Sequence, residues 1–304
     1  MDELRTEFPG VEFAFVHGGD DQVREIADAD ALVGKPSAEA FQAGRKLRWI
    51  HEMGTGIDQY VAIEGLADSD ITLTNALGPH ANPMADHVFA LLLSLTHCLP
   101  ELFEDQRARR WEMNKYQDRY VELEGRTMGI LGLGGIGRSV ARRAHGFGMK
   151  VYAVDIRPVP GMPQVEGVWG LDRLDDLISI SDVLVITVPY TAETHHLIDR
   201  RRFALMKPTS YLIAISRGGI VDEPPLIDAL REGRIAGAGL DVMEEEPLPK
   251  DSPIWGLPNL VMSPHASATT PELYEGRKRI FKENLRRFLA NEPFIRVCDK
   301  QAGF

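Results

Sequence analysis

The stretch TMGILGLGGIGRSVARRAHGFGMKVYAVD, residues 127–155, constrains the fold of this chain more than any other. An apolar run, 127–133, reads as a strand and carries Gly132; Gly134 and Gly137 complete a G-x-G-x-x-G spacing, a helical segment follows, and a second apolar run, 150–155, ends on Asp155. With 28 glycines in 304 residues the spacing alone carries little weight. The strand before it, the helix after it and the acid at the end of the next strand supply the context. Gly132 permits a tight turn, Gly134 lets backbone approach a pyrophosphate, and Gly137 lets helix and strand pack closely. The amides of Gly135 and Ile136 open the helix and can point at phosphates, helped by the positive end of the helix dipole. Asp155 lies 18 residues beyond Gly137, placed to bond a ribose 2′-hydroxyl and to repel a 2′-phosphate. That favours NAD over NADP, even with Arg157 nearby.

Apolar runs and helical patterns go on alternating, as in a parallel α/β sheet. DVLVITV (182–188), SYLIAIS (210–216), IAGAGLDV (235–242) and NLVMS (259–263) read as strands, with LDRLDDLISI and EPPLIDALREG as helices between them. Their near-continuous apolar character is expected where helices cover both faces of a sheet. Residues 1–75 repeat a shorter α/β rhythm, VEFAFV, ALVG, LRWIHEM and ITLTN, without a glycine-rich nucleotide turn. Residues 83–110 read as one long helix opening on Pro83, and PELYEGRKRIFKENLRRFLANEP as an amphipathic helix with Pro271 near its start.

Bulk properties exclude several classes. A length of 304 residues suits two domains, and 44% apolar with 26% charged residues is ordinary globular composition. A net charge of −11 argues against a nucleic-acid partner. Two isolated cysteines, Cys98 and Cys298, make neither a disulfide framework nor a metal site, and His80, His87, His195 and His196 lack zinc-ligand spacing, so no metal is expected. The N-terminus has no signal pattern, and the longest apolar run, VFALLLSL (88–95), is too short to span a bilayer. A cytoplasmic protein with no membrane partner is expected.

Three motifs occur together in the second half: R-G-x-[IV]-V-D-E from Arg217, G-L-D-V-x-x-x-E-P from Gly239, and P-H at Pro264–His265. With the glycine turn they resemble the D-isomer-specific 2-hydroxyacid dehydrogenase family, over nearly the whole chain and most strongly from Gly125 to Thr270. The resemblance implies an α/β fold of two Rossmann-like or flavodoxin-like domains with parallel sheets. The NAD-binding domain, 76–268, would be inserted into a substrate domain made of 1–75 and 269–304. It implies Arg217, Glu246 and His265 as the catalytic residues. Three consecutive glutamates, Glu244 to Glu246, compete for one role, and the family glutamate is the one before proline. Pro247 biases Glu246 toward an extended backbone that can project its side chain; Glu244 and Glu245 would be solvated neighbours.

The chemistry gives each residue a reason. Reducing a 2-keto acid adds hydride to the carbonyl carbon and a proton to its oxygen. His265 is suited to donate that proton and to take it back in reverse, Glu246 to hold the imidazole oriented, and Arg217 to offer a fixed fork of donors to the substrate carboxylate and carbonyl. By the same resemblance Asp241 bonds the nicotinamide carboxamide, and Val188, Pro189, Ile215 and Ser216 line the cofactor. The loop Met53, Gly54, Thr55 and Gly56 closes backbone amides around the substrate carboxylate. The expected substrate is a small 2-keto or D-2-hydroxy carboxylate, and the expected assembly a homodimer through the helix around 83–110. Departures from the family are Ala214 where asparagine is usual, Asp86 for glutamate, His97 for arginine, and a short stretch before FPGVEFAFV. Phosphoglycerate, glyoxylate or hydroxypyruvate, and short-chain keto acids in general stay open as substrates, and a non-catalytic NAD-sensing interaction protein of the same fold is the alternative.

Overall fold

In a computed structural model describing residues 2–17, 19–157 and 162–303, the chain divides into two compact units. One comprises Met1–Leu77 with Tyr274–Phe304, the other Gly78–Leu273.

The smaller unit holds a three-stranded sheet in the order β1-β2-β3, with β1 Ala31–Val33, β2 Trp49–Glu52 and β3 Thr72–Asn75, all parallel. Side chains alternate across it, as the two-residue strand period requires. Ile50 and Leu73 face one cluster with Ile26, Ile57 and Leu66. Trp49 faces another with Phe8, Phe281 and Leu285, the last two from the helix Pro271–Ala290. The run VEFAFV forms no strand in the described structure. Val11 and Phe13 pack on the Trp49 cluster while Phe15 is exposed, so the alternation holds only at the start of the run and the backbone finds no ladder partner.

The larger unit holds a seven-stranded sheet, and every neighbouring pair is parallel. Its strands are β4 Thr127–Leu131, β5 Lys150–Val154, β6 Gly167–Trp169, β7 Val183–Ile186, β8 Tyr211–Ala214, β9 Gly237–Leu240 and β10 Leu260–Met262, in the order β10-β9-β8-β7-β4-β5-β6. Every residue of β7, β8 and β9 is buried, which accounts for their lack of polar alternation. The helices Leu174–Ile180 and Glu223–Arg231 contribute to the core on one face; Ala81–Thr96 and Gly135–Gly146 contribute to it on the other. Glycine in β9 sets how close the second layer comes, since a Cβ on Gly239 would lie 2.9 Å from Leu91 Cβ. β6, a half-buried edge strand of three residues, was too short to read from the sequence.

The expected single helix over 83–110 is two, Ala81–Thr96 and Leu99–Arg107, separated at Cys98 with φ of 52°. Pro100 explains the break. It has no N–H to continue the first helix, and it is well placed in the first turn of the second. No described helix is long and apolar enough to cross a membrane.

His51 sits in the core of the smaller unit, fully buried, with Nδ1 2.8 Å from Thr74 Oγ1 and its ring 5.5 Å from that of Phe281. Burial pushes its pKa down to about 4. The unfolded chain therefore takes up a proton on this residue near its ordinary pKa while the folded chain does not. Stability is lost as pH falls from about 6.5 toward 4, by up to about 3 kcal/mol. Urea melts of wild type and His51→Gln at pH 7 and pH 4.5 should show a smaller acid-induced loss in the variant; equal losses would contradict a neutral buried imidazole.

Candidate active site

Strand ends define the site. Gly132 follows β4, Asp155 follows β5, Thr187 and Val188 follow β7, Ile215 to Arg217 follow β8, Asp241 follows β9, and Ser263 to His265 follow β10. The chain runs outward through β5 and β6, then returns to the opposite side of β4 at β7. That reversal is where open parallel sheets leave a crevice for ligands at their carboxyl ends.

At β4 the backbone turns at Gly132 with φ of 94°. A Cβ on Gly137 would lie 2.1 Å from the Gly132 carbonyl oxygen, so the first helical turn sits against the loop only because that position is glycine. A Cβ on Gly134 would meet nothing within 4 Å. This residue caps the helix Gly135–Gly146, whose first amides, those of Gly135, Ile136 and Gly137, have no carbonyl a turn earlier to bond. Asp155 braces the turn, its Oδ2 accepting the Leu133 amide at 2.7 Å and its Oδ1 the Arg157 amide at 3.0 Å. Each oxygen keeps room for one more donor. Val188 packs on the other side, its Cγ1 2.9 Å from where a Gly132 Cβ would be, and the Pro189 carbonyl accepts Thr194 Oγ1. Ser216 Oγ is buried with no hydrogen-bond partner among the described residues. An open helix start, an acid beside it and an orphaned hydroxyl fit a dinucleotide. The Ile215 side chain is wholly buried in the core beside Ile213, which would leave its backbone to line such a ligand.

Glu246 and His265 meet. His265 Nδ1 is 2.7 Å from Glu246 Oε2, while Glu246 Oε1 accepts the Met243 amide at 2.9 Å. Both carboxylate oxygens are committed, so the side chain cannot swing without losing a bond. A carboxylate only accepts; Nδ1 therefore carries the proton, and Nε2 is left to exchange one with a ligand. Side-chain exposures of 43% for His265 and 37% for Glu246 keep the pair reachable.

The backbone at His265 is left-handed, with φ of 51°, uncommon for a residue with a Cβ. Asp241 holds it there. The His265 amide donates to the Asp241 carbonyl at 2.8 Å and to that of Ser263 at 3.0 Å. The Asp241 carboxylate, fully buried, accepts Ser263 Oγ at 2.6 Å, Ala266 N at 2.8 Å and Ser267 N at 3.0 Å. Three of its roughly four acceptor positions are filled from within the protein. The nicotinamide contact expected of Asp241 would have only the remaining one.

The loops after β8 and β9 touch through glycine. A Cβ on Gly218 would lie 1.8 Å from the Met243 carbonyl oxygen, so Arg217 is carried by a segment pressed onto the one that carries Glu246. Arg217 Nη1 donates to the Ser216 carbonyl at 2.9 Å. Glu244, expected to be merely solvated, is pinned: its Oε1 accepts the Glu223 amide at 3.1 Å and lies 3.0 Å from His196 Nε2. His196, Asp222 and Glu244 bring potential metal-ligand atoms within 4.8 Å of one another, a grouping that linear spacing does not reveal.

In the smaller unit, the loop after β2 is tied down. The Gly54 carbonyl accepts Ala76 N at 2.9 Å, the Thr55 carbonyl accepts Asn75 Nδ2 at 2.8 Å, and Met53 packs on the Trp49 cluster. The Gly54 amide donates to the Glu52 carboxylate, which also accepts the Tyr60 hydroxyl. Gly54 cannot serve a substrate anion without releasing Glu52, whereas Gly56 follows in the same loop.

Such a sheet, turn and histidine–carboxylate pair define a dinucleotide-binding α/β oxidoreductase. Residues 89–267 match the NAD-binding domain of the D-isomer specific 2-hydroxyacid dehydrogenases. The chain is 37% identical to a glyoxylate reductase from Thermococcus onnurineus, over 89% of this chain and 83% of that protein. It is 32% identical to a D-3-phosphoglycerate dehydrogenase from Methanocaldococcus jannaschii over 95% of this chain, and spans only 55% of that protein's length. A solved D-isomer specific 2-hydroxyacid dehydrogenase family protein from Aeromonas salmonicida superposes with a TM-score of 0.87, at 34% identity, over 98% of this chain and 94% of that one. Several solved proteins of this fold hold NADP or NADPH, and another holds NAD. The chain belongs to the D-isomer specific 2-hydroxyacid dehydrogenase family, whose chemistry is hydride transfer between a 2-hydroxy acid and a 2-keto acid with NAD(P).

The second and third glycines of the motif, Gly134 and Gly137, make separable predictions. Gly137→Ala must displace the Gly132 carbonyl and should lower the melting temperature by several degrees. Gly134→Ala meets open space and should melt close to wild type, yet bind NADH about tenfold more weakly or worse, because it narrows the approach to the helix amides. Thermal melts with fluorescence titration of NADH separate the two effects.

Proposed function

We propose that the protein reduces a short 2-keto acid to the D-2-hydroxy acid with NADH, and catalyses the reverse oxidation, using Arg217, Glu246 and His265. The observation that carries this reading is the His265–Glu246 pair, locked at Nδ1 and part-exposed as side chains, at the carboxyl end of a parallel sheet that also presents an open glycine turn. A bound nicotinamide supplies or receives the hydride. His265 Nε2 gives its proton to the carbonyl oxygen during reduction and recovers it from the hydroxyl during oxidation. Glu246 keeps Nδ1 protonated and the ring fixed through both directions. Arg217 directs its guanidinium fork at the carboxylate and carbonyl oxygen of the substrate, polarising the carbonyl.

The larger unit is then the NAD-binding domain and the smaller one the substrate domain, where the loop Met53–Gly56 takes the substrate carboxylate. Similarity to glyoxylate reductases over most of their length supports a small substrate such as glyoxylate or hydroxypyruvate. Asp155, braced at the turn with acceptor capacity to spare, supports NAD over NADP. The helices Ala81–Thr96 and Leu99–Arg107 would pair two copies of the chain in a cytoplasmic homodimer.

Initial rates across glyoxylate, hydroxypyruvate, pyruvate and phosphohydroxypyruvate, with NADH and NADPH in parallel, test the reading. His265→Ala should lower kcat by roughly 10²–10⁴, and Glu246→Gln should lower it less, because the ring keeps a neutral partner. Arg217→Lys keeps the charge and loses the fork, so KM should rise together with a fall in kcat. NADH should be preferred. Wild-type turnover in His265→Ala would end the assignment.

A further inference from the structure

We propose that His87 is a positioning residue for the catalytic turn, acting through Ser263 and Asp241. The inference rests on the reading of His265 as the proton donor and extends it to a residue on a different element.

His87 lies in the helix Ala81–Thr96, 176 positions away from Ser263 in sequence, and its Nε2 is 2.7 Å from Ser263 Oγ. Ser263 in turn donates to Asp241 Oδ1 at 2.6 Å. A serine hydroxyl has a single proton. Since that proton goes to Asp241, the bond to His87 must be donated by the ring, and His87 carries its hydrogen on Nε2. The Ser263 hydroxyl is thereby held at both ends, accepting from His87 and donating to Asp241. Its rotor has one setting.

That setting matters because of what Asp241 does with its other bonds. The oxygen that takes the Ser263 proton also takes the Ala266 amide, the second oxygen takes the Ser267 amide, and the Asp241 carbonyl takes the His265 amide. His265 is held in its left-handed conformation by groups on both sides of it, all belonging to Asp241 or Ser263. Without the His87 donor the Ser263 oxygen is held only through its own bond to Asp241, and the serine and the turn that carries it can shift together. The imidazole would then present Nε2 at a different angle while its bond to Glu246 survives by rotation. Proton transfer depends steeply on such placement; an error of about 1 Å can cost on the order of 10²-fold. The helix amides and Asp155 at the β4 turn use none of these bonds, and the nicotinamide contact expected of Asp241 would take an acceptor position outside them. The effect belongs on kcat.

The experiment compares His87→Leu, His87→Gln, Ser263→Ala and the His87→Leu/Ser263→Ala double variant with wild type. It measures kcat and KM for the best 2-keto acid, NADH affinity by fluorescence, and melting temperature. Glutamine can place an N–H donor near the position of the ring Nε2, whereas leucine fills space without one. Expected results are a roughly 10- to 100-fold loss of kcat in His87→Leu, KM and NADH affinity within about threefold of wild type, recovery of most of the loss in His87→Gln, and a double variant no worse than the poorer single one. Wild-type kcat in His87→Leu would overturn the proposal. So would a loss that glutamine does not rescue and that follows the melting temperature, which marks a packing role. His265→Ala is assayed alongside. If it too retains full activity, the catalytic reading itself has failed; if it is inactive while His87→Leu is normal, only the role of His87 has.

Discussion

The buried carboxylate of Asp241 is the interaction on which the rest of the site depends. An acid with no exposed surface is costly unless its oxygens are satisfied, and here they are satisfied almost entirely by the turn that carries His265. The arrangement constrains both parties. Asp241 cannot leave without stranding two amides and a hydroxyl, and His265 cannot relax from its left-handed backbone while those bonds persist. Strain at one residue is of order 1–3 kcal/mol, less than the combined loss of several buried hydrogen bonds at about 1 kcal/mol each, with unsatisfied groups costing more. The turn is held in a form that the His265 backbone alone would not favour.

Around that anchor the fold places separate functions on separate strand ends. β4 and β5 supply the glycine turn and its acid, β8 supplies Arg217, β9 supplies Asp241 and Glu246, and β10 supplies His265. Close approach joins these loops where no side chain could fit. Gly137 lets the helix sit on the Gly132 carbonyl, and Gly218 lets the arginine loop sit on the Met243 carbonyl. The rigid parallel sheet fixes where the chain ends point, and the glycines fix how near the loops come.

How much of this could be read in the sequence depends on whether the determining contact is local. The glycine turn and Asp155 were legible because strand, turn, helix and acid lie within 29 residues. The choice of Glu246 over its two neighbours was not a matter of spacing and came only from family likeness. The break after Thr96 was legible in principle, since Pro100 signals it, but a long apolar pattern masks a single proline. VEFAFV shows the opposite limit: the inward facing of Val11 and Phe13 was readable, while the exposure of Phe15 and the missing ladder partner were not. The Ile215 side chain lies in the core with Ile213, and burial on both faces of β8 leaves no polar alternation from which that could be read. The bonds of Glu244 to Glu223 and His196, and of His87 to Ser263, join residues far apart in the chain and leave no linear trace.

The most direct test of the account is the tautomer of His265, read by ¹⁵N NMR of the histidine-labelled protein, with the resonance assigned from His265→Gln. Glu246 bound at Nδ1 requires a protonated Nδ1 and, in the neutral ring, a bare Nε2. In Glu246→Gln the neutral tautomers should become mixed. A neutral His265 carrying its hydrogen on Nε2 in the wild type would contradict the account, because the nitrogen proposed to exchange a proton with the substrate could not then accept that of a 2-hydroxy acid.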